Sequence, residues 1–134
     1  MTRLKDLLVD EFQHAVADCL VRHRSVLDVL SKFQEANARV HRAVAKAVTS
    51  CGCISIHAQR PKIPAQSTLR DLKSYMDDHV DGTLCESCRE VLEEELGKQL
   101  FYLVALCNLF DINTFDLFIK ENRKLSTLGM YHIS

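Results

Sequence analysis

The sequence predicts an all-α fold, a four- to five-helix bundle, and three observations carry that prediction. Apolar residues recur at helical spacing through most of the chain. Only four Gly and two Pro occur in 134 residues, too few turn formers for a many-stranded β protein. A capping residue followed three positions later by a carboxylate, the signature of a helix start, occurs at Ser25 and Asp28, at Thr68 and Asp71, and at Asn113 and Asp116. The length suits a single helical domain over 1–134. With 47% hydrophobic and 26% charged residues the chain has the apolar content to fold rather than remain disordered. Seventeen Lys plus Arg against eighteen Asp plus Glu leave a net charge of −1, so no global field draws it to nucleic acid or anionic lipid. The charged start Met1-Thr2-Arg3-Leu4-Lys5-Asp6 has no apolar run behind it, and the expected setting is cytoplasmic, with no membrane insertion.

The elements follow in order. No Gly or Pro interrupts Leu4 to Val48, and the cap at Ser25 divides this stretch into helices at about 3–22 and 26–49. Both prolines, Pro61 and Pro64, fall within 50–67, which is expected to be an irregular connection with a short extended piece at Ile54-Ser55-Ile56. Thr68 starts a short helix whose apolar face is Leu69, Leu72, Met76 and Val80, with a break at 81–84. The longest helix begins near Cys85 and carries Leu92, Leu96, Leu100, Leu103, Cys107 and Phe110 at helical spacing. A last helix starts at Asn113 and runs through Phe115, Phe118, Ile119 and Asn122, leaving 126–134 as a tail.

Six cysteines divide into two classes. Cys19 and Cys107 lie inside helical apolar patterns, where a thiol packs as a small hydrophobe. Cys51-Gly52-Cys53 and Cys85-Glu86-Ser87-Cys88 are two close pairs in a chain without an export signal, a pattern that points to metal rather than to disulfides. They fall at the end of one helix and the start of another, the same end of an antiparallel bundle. Cys51, Cys53, Cys85 and Cys88 are therefore the expected metal ligands, with zinc the expected ion and an Fe–S cluster the alternative. Four thiolates leave no open coordination position, so the site is structural and anchors the loop 50–88. His57 is a reserve ligand. A redox pair at Cys85 and Cys88 is the non-metal alternative.

Glu86, Glu90, Glu93, Glu94 and Glu95 crowd the first turns of the long helix, where carboxylates complement the positive helix end. The stretch from Glu94-Glu95-Leu96-Gly97-Lys98-Gln99-Leu100 to Asp111-Ile112-Asn113 resembles the third-helix motif of the MazG-like, all-α nucleoside triphosphate pyrophosphatases, and Lys120-Glu121-Asn122-Arg123-Lys124 resembles that family's last-helix signature. The resemblance covers 94–124. It implies a MazG-like bundle, assembly into dimers or tetramers, and Mg²⁺ held by Glu-x-x-Glu and Glu-x-x-Asp motifs against a nucleotide's phosphates, with Lys120, Asn122 and Arg123 as nucleotide contacts. Glu95 matches the Glu of Glu-x-x-Asp, but Lys98 stands at the Asp position; Glu35 supplies one carboxylate of Glu-x-x-Glu, with Ala38 three residues on. Two of four metal-binding carboxylates are missing and a cation replaces one, so the expected protein is non-catalytic and acts by binding or assembly. The enzyme alternative is a Mg²⁺-dependent pyrophosphohydrolase in which Glu35, Glu90, Glu94 and Glu95 form a rearranged cage. A third reading makes the zinc end a nucleic-acid or protein docking surface through Arg60, Lys62, Arg70 and Lys73, although a neutral chain disfavours nucleic acid.

Phe101, Tyr102, Leu106, Leu109, Phe110, Phe115 and Phe118 are too many for one buried stripe of a small bundle. A homodimer or higher homo-oligomer is expected, with a nucleotide or protein as a further partner. The competing arrangement is a monomer that wraps the tail 126–134 over these residues.

Overall fold

A computed structural model describes residues 2–129 and is mostly helical. Helix α1 (Thr2–Cys19) is followed by α2 (Val26–Lys46), which widens into a π-helical turn (Ala47–Cys51). A short strand β1 (Ile54–Ile56), a short helix α3 (Leu69–Tyr75) and a second strand β2 (Val80–Gly82) lead to the long α4 (Glu86–Leu109) and to α5 (Thr114–Leu128). Each predicted start is visible in its hydrogen bonds. Ser25 Oγ accepts from Leu27 N–H at 3.3 Å, the Thr68 N–H donates to Asp71 Oδ2 at 3.0 Å, and Asn113 Oδ1 accepts from Asp116 N–H at 2.9 Å.

The bundle is built on the pairing of α2 with α4, against which α1 lies, and α5 leans on α1. Val16, Val29, Val104 and Ala105 form the buried core, with Phe12, Leu20, Phe101, Tyr102 and Leu106 packed around them. Beside this apolar centre sits a polar clasp made by one amide. Gln13 Nε2 donates to Asn108 Oδ1 at 2.9 Å and to the Ile112 carbonyl at 2.8 Å, while its Oε1 accepts from Thr114 N–H at 2.8 Å. Asn108 returns a bond to the Gln13 carbonyl at 3.1 Å. The α4–α5 turn, which closes with Asp111 at φ 52° and Ile112 N–H on the Cys107 carbonyl, is thereby fixed to α1.

Several expectations are corrected. The first helix ends at Cys19 rather than 22, and α2 ends at Lys46 before the π turn. Val80 does not continue α3. Asp78 Oδ1 takes the Val80 N–H at 2.9 Å and His79 adopts φ 63°, so the chain leaves the helix and β-branched Val80 pairs with Ile56. Part of the predicted break is therefore β2. Residues 126–128 belong to α5, not to a tail, and the remainder of the predicted tail from Met130 lies outside the described residues. Cys107 is buried as expected, but Cys19 is exposed at the end of α1. The long apolar face also divides: Cys107 is buried and Leu92 half-buried, whereas Leu96, Leu100, Leu103 and Phe110 are exposed. No single helix among the described residues is long and apolar enough to cross a membrane.

Candidate metal centre

Two turns bring the cysteine pairs together. At the first, the π turn ends on Cys51 and Gly52 takes φ 78°, a conformation that glycine adopts without steric cost, while its N–H closes back on the Ala47 carbonyl at 2.9 Å. Chain direction reverses there, and Cys53 enters β1. At the second, Cys85 is the N-cap of α4 and its Sγ accepts the Cys88 N–H at 3.4 Å. A thiolate at this place is stabilised by the unpaired N–H groups of the first helical turn.

The ribbon between them sets the distance. Strands β1 and β2 pair antiparallel, with Ile54 opposite Gly82, Ser55 opposite Asp81 and Ile56 opposite Val80. Gly82 has φ 93°, and a Cβ placed on it would lie 2.6 Å from the Cys53 carbonyl oxygen. Only glycine lets the backbone approach Cys53 this closely. Cys85 follows three residues later, so the pairing that seats Cys53 also delivers the second knuckle.

The result is a cluster in which the four Sγ atoms of Cys51, Cys53, Cys85 and Cys88 all lie within 4.8 Å of one another, with Cys51 and Cys85 at 3.8 Å. A tetrahedral ion with M–S bonds of about 2.3 Å requires S···S edges of about 3.8 Å. The donor set fits a metal ion such as zinc in number, softness and spacing. Cys51 is exposed and the other three are partly buried.

The thiols shift one another's acidity. The Cys88 backbone N–H and then its thiol, both bonding to Cys85 Sγ, bring the Cys85 thiol down to about 7. Cys88, whose side chain serves as donor to Cys85 and is partly desolvated, is pushed up to about 12. For Cys51 the Cys53 backbone N–H pulls downward, but the neighbouring thiols of Cys85 and Cys53 together with desolvation outweigh it and the value is raised. The cluster thus holds one readily formed thiolate beside thiols that resist ionising next to it. A divalent cation removes that conflict by neutralising the accumulated charge.

His57 stands outside the four-sulfur cluster. Its Nε2 is 3.2 Å from Ser55 Oγ and 3.6 Å from Asp81 Oδ2. It shares a cavity of about 420 Å³ with Arg60, Lys62, Tyr75, His79 and Asp81. Arg70 and Lys73 lie on α3.

Of the predicted carboxylates, Glu35 and Glu95 line one cleft and the other two do not join them. Both line a cleft of about 490 Å³ between α2 and α4, together with Arg39, Arg42 and Lys46. Glu35 is bound by Lys32 at 3.2 Å and Arg39 at 3.1 Å, and hydrogen bonds first from Lys32 and then from Arg39 hold its carboxyl below the ordinary range. Glu95 Oε1 is 3.8 Å from Lys98 Nζ, and its Oε2 is buried without a hydrogen-bond partner among the described residues. Glu90 and Glu94 are exposed and stand outside the cleft. Lys120 and Arg123 line a separate groove on α5 of about 680 Å³, while the Asn122 carbonyl accepts from Ser126 Oγ. The carboxylate cluster predicted as an alternative active site is therefore a pair surrounded by cations. Sequence reasoning missed the cations of α2: Arg39, Arg42 and Lys46 recur at helical spacing and were legible as one face.

Compared with known proteins, the chain matches no family model, no curated protein and no solved structure.

Proposed function

We propose that this chain is a non-catalytic, divergent MazG-like helical protein whose loop 50–88 is fastened by one structural zinc ion, and that it acts through assembly in its cytoplasmic setting. The observation that carries the metal is the four-sulfur cluster, drawn from two segments on opposite sides of a thirty-one-residue loop. Its compactness favours a single ion, since a multinuclear cluster places its own irons and sulfides between the cysteine sulfurs. With all four positions taken by thiolate, Cys51, Cys53, Cys85 and Cys88 would hold the ion, and its chemistry there is to close the loop. The case against turnover rests on Lys32, Arg39 and Lys98, which occupy the surroundings of Glu35 and Glu95 and oppose a hard cation beside them.

Elemental analysis of purified protein tests the first part. One equivalent of zinc per chain is expected, falling away in Cys85→Ser and in Cys51→Ser and unchanged in Cys19→Ala; metal that persists when Cys85 and Cys88 are both replaced overturns the site. The second reading, a Mg²⁺-dependent pyrophosphohydrolase, is favoured by the buried and unpartnered Glu95 Oε2 in the α2–α4 cleft. A nucleotide panel with pyrophosphate detection distinguishes the two. Turnover that requires Mg²⁺ and is lost in Glu95→Gln establishes the enzyme, and its absence across canonical and modified triphosphates is the outcome expected here.

A further inference from the structure

The β1–β2 ribbon has the cysteines at one end and a polar cavity at the other. Cys53 enters β1 and Cys85 follows β2, whereas the far end of the ribbon is closed by the His57 N–H, which donates to the His79 carbonyl at 2.9 Å. Beyond that bond the chain opens into two walls, the irregular stretch 57–62 and the segment 75–81, and between them lies a cavity of about 420 Å³. That volume suits a small molecule.

Fixed charge is sorted between the walls by sign. Arg60 and Lys62 belong to the first wall, Asp77 and Asp81 to the second. Asp81 is answered by His57, whose Nε2 lies 3.6 Å from its Oδ2. Arg60, Lys62 and Asp77 make no ion pair among the described residues, although they line the same cavity. The two signs share the space without meeting, which leaves both for a molecule placed between them. His79 adds an unmet need on the second wall: its φ of 63° is a strained conformation for a residue with a side chain, and its Nδ1 is buried without a hydrogen-bond partner among the described residues. Tyr75 and Met76, 43% and 56% exposed, supply apolar surface beside these charges.

The ligand's chemistry follows from the charges. A purely anionic molecule is repelled by Asp77, and a purely cationic one by Arg60 and Lys62. A zwitterion satisfies both walls. A guanidinium receives a carboxylate in two parallel hydrogen bonds, and a carboxylate with an aromatic face beside it holds an ammonium. We infer that this cavity binds a free amino acid, with its carboxylate on Arg60 and Lys62, its ammonium on Asp77 and the Tyr75 ring, and an apolar side chain over Met76. The site is separate from the cysteine cluster and from the α2–α4 cleft, and the inference rests on neither the metal nor the assembly proposed above.

Amide shifts of the ¹⁵N-labelled full chain, as purified, test it while each of the twenty common amino acids is added singly at 10 mM. Saturable shifts at 57–62 and 75–81 are expected with an apolar amino acid such as leucine or phenylalanine; a panel in which none moves these amides overturns the site. The carboxamide and the N-acetyl derivative of the best binder should each bind at least tenfold more weakly. Equal binding of either derivative overturns the zwitterion, as does tighter binding of inorganic phosphate. Arg60→Gln combined with Lys62→Gln should weaken the amino acid at least tenfold and leave its carboxamide unaffected, because the carboxamide lacks the charge these two residues hold. Asp77→Asn should do the same to the amino acid and spare the N-acetyl derivative. Equal losses for the amino acid and the blocked form mark a merely structural effect and overturn the assignment. Should the variants fail to fold, the blocked ligands on wild-type protein decide.

Discussion

Gly82 shows how one residue controls a site to which it contributes no ligand. Its φ of 93° and the 2.6 Å that would separate a Cβ from the Cys53 carbonyl make any side chain there push β2 away from β1. Gly82→Ala is expected to cost about 1–3 kcal/mol and to weaken metal retention, because Cys53 and Cys85 are delivered by the strands that separate. Thermal unfolding with and without a chelator checks both parts: the two midpoints should converge in the variant. Gln13 plays the corresponding role at the other end. Its amide makes three bonds linking α1 to Asn108, Ile112 and Thr114, so Gln13→Ala leaves the Thr114 N–H without that acceptor. A loss of about 1–3 kcal/mol is expected, with amide exchange accelerated at 108–118 and zinc content unchanged.

At the scale of elements, the segment 50–88 between the cysteine pairs is the least self-sufficient part of the molecule. Strands of three residues, a seven-residue helix and an irregular 57–67 stretch bury little, with Ile54 the one fully buried apolar residue among them. A two-stranded ribbon of that size is marginal by itself. Chelation should therefore accelerate hydrogen exchange at 50–88 first and leave the α2–α4 pair protected. The thiol acidities give this a pH dependence. Cys85, lowered to about 7, is a thiolate above that value and is protonated as pH falls through it, whereas Cys88, raised to about 12, loses its proton at neutral pH only to a metal. In metal-free protein, thiolate absorbance should rise by one cysteine equivalent through pH 7 and not do so in Cys85→Ser. In the metal-bound protein, acidification should release the ion as protons compete for sulfur.

At the scale of the whole molecule, the small core and large open surface belong together. Four residues, Val16, Val29, Val104 and Ala105, make the central cluster, while Leu4, Leu27, Phe110 and Phe118 are more than half exposed. If a second copy covers part of this surface, as the sequence leads one to expect, stability depends on concentration, and the melting midpoint then rises between 1 and 100 μM protein; a midpoint independent of concentration speaks for a monomer.

The all-α class, the helix starts at Ser25, Thr68 and Asn113, and the grouping of Cys51, Cys53, Cys85 and Cys88 into one cluster that could hold a metal were legible because each depends on local chemistry: periodicity, a cap three residues from its carboxylate, and short Cys spacings that survive in any context. Helix ends were less legible. Val80 left its helix and residues 126–128 joined theirs, because strand pairing with Ile56 and continuation of α5 depend on neighbours rather than on local signals. Periodicity alone also did not tell which apolar residues were covered; Leu92 and Leu96 belong to the same pattern, yet in the fold the first is half-buried and the second exposed. Glu35 and Glu95 were chosen by sequence as partners, and tertiary structure placed them in one cleft but surrounded them with Arg39, Arg42 and Lys46. Sequence fixes what each residue is able to do; which groups act together is decided by the distances between helices, set by burial over the whole chain.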